Sequence, residues 1–164
     1  MKFRAAGAVV LVLICLQSNA QLKGFGLGPY IELATPTGNF NDTHNGGIGA
    51  GLGADIGFGK LKFTGSAGYM HFGGKTVTTT EGTVDHPAIN AFPLRAGLKY
   101  RFAPMFYFKL EGGVANYTKG DGSAFILSPG IGLRVLGLDA QIKYETWMNN
   151  GSNNFWGLKA GYNF

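Results

Sequence analysis

The sequence predicts an all-β protein, an eight-stranded antiparallel up-and-down transmembrane β-barrel. Three observations predict it. Apolar and polar residues alternate with period two through eight segments, and no 3.6-residue period runs for long. The connections between those segments are long and short by turns. Glycine, 28 residues of 164, is interleaved with aromatics and has no collagen period, a composition of many-stranded β structure.

The expected strands are 24–34, 48–58, 61–72, 88–102, 106–117, 123–135, 138–148 and 154–164. Each approaches or exceeds the roughly 9–11 residues that a tilted strand needs to cross a bilayer. The longer connections are 35–47, 73–87, 118–122 and 149–153, and the tight ones are 59–60, 103–105 and 136–137. Strands joined this way run up and down as neighbours, so every long loop emerges at one end. Pro29, Pro93 and Pro129 fall inside the expected strands. Proline lacks the ladder donor, so each is expected at a bulge or a strand end.

Residues 1–20 are read as a signal peptide and 21–164 as one barrel domain. Lys2 and Arg4 precede an apolar run, and Ser18-Asn19-Ala20 offers small residues for cleavage. The run is short for a membrane-spanning helix. Cys15, the only cysteine, lies within it and follows Ile14, too large for a lipid-anchor site. The remaining chain has no cysteine for a disulfide, nucleophile or metal site. Its twelve basic and nine acidic residues leave a mild positive charge, with no Lys/Arg cluster that would mark nucleic-acid binding.

The faces of the strands decide the environment. In 138–148, Leu138, Ala140, Ile142, Tyr144, Thr146 and Met148 oppose Asp139, Gln141, Lys143 and Glu145. In 88–102, Leu94, Ala96, Leu98, Tyr100 and Phe102 oppose Arg95, Lys99 and Arg101. In 106–117, Phe106, Phe108, Leu110 and Val114 oppose Lys109 and Glu111. A soluble lipocalin-like barrel would turn the apolar face inward, and a membrane barrel would turn it to lipid. The charged faces are also rich in glycine, which suits a narrow interior packed with a few long side chains. Aromatics near strand ends are expected at the two interfaces: Phe58, Tyr69, Phe72, Tyr100, Phe102, Phe106, Tyr117, Trp156, Tyr162 and Phe164.

The membrane reading turns thirteen charges inward: Glu32, Asp55, Lys62, Arg95, Lys99, Arg101, Lys109, Glu111, Arg134, Asp139, Lys143, Glu145 and Lys159. Buried charges persist when paired, so these are expected to form a structural ion-pair network that fills the lumen. The alternative is a narrow, anion-preferring pore.

The segments TPTGNFND, PLRAGLKYRF and FYFKLEGGVANY, with the C-terminal NFWGLKAGYNF, resemble the bacterial outer-membrane β-barrel domain family, relatives of the OmpA and OmpX barrels of Gram-negative bacteria. The resemblance implies insertion in the cell outer membrane after export through the periplasm. It implies outer-membrane lipid as a partner, and a barrel-assembly machinery that reads Trp156, Leu158, Tyr162 and Phe164 on the last strand. It implies no single activity, since one fold hosts many functions. A non-enzymatic structural or surface-interaction role is expected, with a surface partner met through loops 35–47 and 73–87.

No cofactor, metal site or catalytic residue is expected. His44, His71 and His86 are the only histidines, and their spacing to Asp42, Glu81 and Asp85 supports no metal site. His44 and His86 are expected as exposed loop residues. Some eight-stranded outer-membrane enzymes modify lipid A with a His and a Ser near the rim. His71 with Ser66 or Ser123 is the pair to check for that alternative, since a nucleophilic serine needs a base within hydrogen-bond reach.

Overall fold

The computed structural model describes residues 24–79, 82–119 and 122–164; the signal-peptide assignment at 1–20 lies outside them. The period-two segments form strands β1 (Phe25–Thr37), β2 (His44–Ile56), β3 (Leu61–Gly74), β6 (Ile89–Arg101), β7 (Phe106–Tyr117), β8 (Ser123–Val135), β9 (Leu138–Met148) and β10 (Ser152–Tyr162). A five-residue helix α1 (Asn39–Thr43) and a hairpin of β4 (Thr76–Thr79) and β5 (Gly82–Asp85) lie in the two long loops.

The eight long strands close into one antiparallel barrel in chain order. β1 pairs with β10 from Tyr30↔Gly161 to Thr37↔Asn154, which joins the two edges. Closure gives every strand two partners, the condition for β structure in lipid. Three strands, 106–117, 123–135 and 138–148, match their expected bounds.

β1 and β2 extend further into the first loop than expected, to Thr37 and from His44. The 35–47 connection is therefore shorter than the pattern indicated, because its ends stay zipped to neighbouring strands. The 73–87 connection is an ordered hairpin rather than a plain loop.

At the other end the turns are tight. Leu136 and Gly137 both have positive φ, 50° and 86°, the type I′ geometry that matches strand twist. Gly59, at φ 72°, serves the β2–β3 turn.

The prolines are neither at bulges nor at strand ends. The only register shift in the β2–β3 ladder lies between His44 and Gly47, away from all three. Pro93 sits where the β3–β6 ladder is interrupted between Ala67↔Leu94 and Met70↔Ala91, in one unbroken register. Pro129 occupies the same kind of gap between Leu127↔Thr146 and Gly130↔Lys143. Pro29 precedes the first regular β1–β10 pair. A strand bonded on both sides tolerates a proline by losing the ladder locally on one side and keeping it on the other.

The apolar face points out and the charged face points in. Arg95, Lys143 and Glu145 are 3%, 1% and 0% exposed, whereas Leu98 and Ile142 are 44% and 54% exposed. That is the inverse of a soluble barrel. The exterior carries Ile31, Leu33, Ile48, Leu52, Leu110 and Leu158 among many exposed apolar side chains. An apolar surface so extensive has lipid as its matching solvent. On the turn-end side Phe102 meets Phe106 and Phe108, with ring centroids 6.2 and 4.7 Å apart. Nearer the loops Tyr69 packs on Phe92 and Tyr144 on Trp156, both at 5.2 Å.

Candidate functional site

The lumen holds two charged clusters and an aromatic plug. Glu32 of β1, Arg95 of β6, and Lys143 and Glu145 of β9 form the first cluster. Arg95 Nη2 lies 2.6 Å from Glu145 Oε1 and 3.6 Å from Glu32 Oε1. Lys143 Nζ lies 2.7 Å from Glu32 and 2.5 Å from Glu145. The Trp147 indole N–H donates to Glu145 Oε1 at 2.6 Å. Lys109 and Glu111, two residues apart on β7 and hence on one face, pair at 3.0 Å.

The second cluster lies nearer the turn end. Lys99 Nζ is 2.8 Å from Asp55 and 3.2 Å from Asp139. Arg134 Nη2 is 2.6 Å from each of the same two carboxylates. The Tyr107 hydroxyl donates to Asp139, and the Lys99 ammonium lies 4.3 Å from the centre of the Tyr107 ring. Lys159, which has no carboxylate partner among the described residues, lies 3.6 Å over the ring of Tyr30.

Eleven of the thirteen expected charges therefore lie in the lumen, ten of them in ion pairs and Lys159 in its ring contact. Lys62 and Arg101 are outside the network. Arg101 is exposed at the turn end, where it donates to Gly59 O at 3.3 Å, and Lys62 lines the mouth. Both share the inward parity of their strands but stand near the strand ends, and neither forms an ion pair among the described residues.

Glycine makes the lumen wide enough for these side chains. A Cβ at Gly157 would stand 2.8 Å from Lys143 Cε, and one at Gly51 would stand 2.7 Å from Tyr30 Oη.

Toward the loops the inward face turns apolar. Phe72, Trp147, Phe155, Ile126 and Met70 form a buried cluster inside the barrel. Phe72 packs on Phe155 at 5.1 Å and edge-on to Trp147 at 5.7 Å. α1 lowers Phe40 onto this cluster, 5.0 Å from Phe72. Phe72 is thus a lumen residue and not part of an interface girdle, and half-buried Tyr117 packs against Trp147 at 6.2 Å. The parity of β3, which turns Lys62, Thr64 and Ser66 inward, carries Phe72 inward as well. The two charged clusters and this plug together occupy the lumen between the turn end and the loop end.

His44 is buried rather than exposed. It stacks on Phe40 at 4.9 Å, and its Nε2 lies 3.1 Å from Pro87 O. Its other ring nitrogen meets Thr43 Oγ1 at 2.8 Å, so both nitrogens are engaged within the loop packing. No cluster of three metal-ligating side chains forms among the described residues. His71 projects outward from β3 and bonds Asn90 Oδ1 at 2.7 Å, which also accepts from Tyr69. Ser66 lies on the opposite, inward face of the same strand. The structure brings neither Ser66 nor Ser123 into hydrogen-bond contact with His71.

No protein-family profile and no curated protein matches the chain. Solved structures do match its fold. A computationally designed transmembrane β-barrel superposes with a TM-score of 0.55 at 16% identity, over 85% of this chain and 95% of the other. The outer membrane protein Ail of Yersinia pestis, in a phospholipid bilayer nanodisc, gives 0.54 at 18% identity, over 87% and 100%. Ail in complex with the heparin analogue sucrose octasulfate gives 0.51 at 15% identity, over 86% and 97%. The fold is that of a transmembrane β-barrel.

Proposed function

We propose that the chain is a non-enzymatic integral protein of a bacterial outer membrane whose working surface is its loop end. The observation that carries this reading is the combination of a lipid-compatible exterior with a filled lumen. With ion pairs and aromatic side chains filling its lumen, such a barrel would act through the loops it presents.

Those loops are tied into one surface. Lys75 N–H donates to Thr43 O at 3.1 Å, Asn45 Nδ2 donates to Gly74 O at 3.0 Å, and His86 N–H donates to Lys75 O at 2.9 Å. α1 and the β4–β5 hairpin thereby form a shared platform for a surface partner. Ail is the attachment invasion locus protein of Yersinia pestis, and a role in attachment is consistent with this use of the fold. Outer-membrane lipid is the partner of the apolar belt. On this reading the outward face of β10, with Trp156, Leu158 and Tyr162, and Phe164 just beyond its end against Tyr162, serves recognition by the assembly machinery.

Cell fractionation with a heat-modifiability gel tests the location. The folded chain should sediment with the outer membrane and change mobility on boiling; recovery in the soluble fraction would remove the proposal. Deleting residues 76–85 should leave that behaviour intact and lower attachment of expressing cells to a surface or host-cell layer. Attachment equal to that of the parent would separate the loop-end role from the location.

A further inference from the structure

Three lysines stand side by side on the inward face near the turn end. Lys62 pairs in register with Lys99 across β3 and β6, and Lys99 with Lys109 across β6 and β7. Like charges directly opposite on one face repel. Lys99 and Lys109 answer this with carboxylates, at 2.8 Å to Asp55 and 3.0 Å to Glu111. Lys62 has none within reach among the described residues.

A cavity of about 120 Å³ opens at this mouth. Lys60, Lys62 and Arg101 line it, and none of the three is held by an ion pair among the described residues. Lys99 and Arg134 line both this cavity and the smaller one deeper in the lumen, so they form the boundary between the two. Asp55 and Asp139 lie on the deeper side, and among the described residues no acidic side chain lines the mouth. Five cations thus face two carboxylates that stand behind them. Met105 and Tyr107 supply an apolar flank. Low-dielectric walls around charges of one sign focus the field on the space between them.

We propose that the turn-end mouth binds a phosphate oxyanion, held by Lys60, Lys62 and Arg101 over a floor of Lys99 and Arg134. A guanidinium fork beside ammonium donors matches several oxygens of one phosphate. The two sources of such a group are a dissolved phosphate and the headgroup of a lipid at the rim, where Phe58 and Leu136 project from the neighbouring turns.

The full barrel, refolded in maltoside micelles, is titrated with inorganic phosphate at low ionic strength, with acetate and chloride as comparison anions. Saturable phosphate binding is expected, weakened at least about tenfold by removing two unpaired cations in K62Q/R101Q, provided the variant keeps its heat-modifiable mobility. Should the double variant fail to fold, K62Q alone removes an ammonium that contacts no carboxylate. Absence of saturable binding, equal affinity in the variant, or equal binding of acetate would overturn the proposal. Repeating the titration in phosphatidylcholine nanodiscs with and without phosphatidylglycerol assigns the source. Loss of inorganic phosphate binding with phosphatidylglycerol points to a headgroup, and unchanged binding points to a dissolved anion.

Discussion

Arg95 and Glu145 meet at 2.6 Å across the barrel, although two strands separate β6 from β9 around the wall. Both side chains are shielded from solvent, and Glu145 also accepts from Lys143 and Trp147. Removing one member of a buried pair leaves its partner charged and uncompensated, a loss of roughly 3–5 kcal/mol. Glu145→Gln keeps the volume and leaves Arg95 only the 3.6 Å contact to Glu32. We expect a loss of that size in urea unfolding from lipid vesicles, followed by tryptophan fluorescence. Arg95→Met combined with Glu145→Gln should lose less than the two single losses summed. A Glu145→Gln variant as stable as the parent would mean that the network does not hold the lumen.

The parity of these charges was legible in the sequence, because Arg95, Lys99, Lys143 and Glu145 each sit opposite apolar runs. Their pairings were not. Which inward residues meet depends on the stagger of strands around the closed wall, and no local pattern encodes that. The loop contacts were illegible for another reason. Phe40 lies in a polar segment, Asn39 to Thr43, and enters the barrel only because α1 tips it there. Phe72 was within reach of the sequence: it shares the parity of Lys62 and Ser66, but its place near a strand end favoured an interface reading.

The aromatic plug gives a second prediction. Phe72 is fully buried and touches Phe40, Trp147 and Phe155. Phe72→Ala would open a void at the centre of this cluster, with an expected loss of about 3–5 kcal/mol. The same truncation at Phe58, which is 83% exposed at the turn-end rim, touches no such cluster and should lose far less. The two variants are compared by urea midpoint in the same vesicles. Equal losses would return Phe72 to the interface group.

The third prediction concerns the room that glycine leaves around Tyr30. A Cβ at Gly68 would stand 2.5 Å from Tyr30 Oη and 2.7 Å from Ala50 O. The first obstacle is a side-chain tip, and the second is the backbone of the adjacent strand. Gly68→Ala should therefore be destabilising by about 1–3 kcal/mol through overpacking, and Gly68→Val by more. Tyr30→Phe removes the nearer obstacle and keeps the ring beneath Lys159. The Tyr30→Phe and Gly68→Ala double variant should recover part of the loss but not all of it, because the Ala50 carbonyl remains. Full additivity of the two changes in a double-mutant cycle would show that Gly68 is not glycine on account of Tyr30.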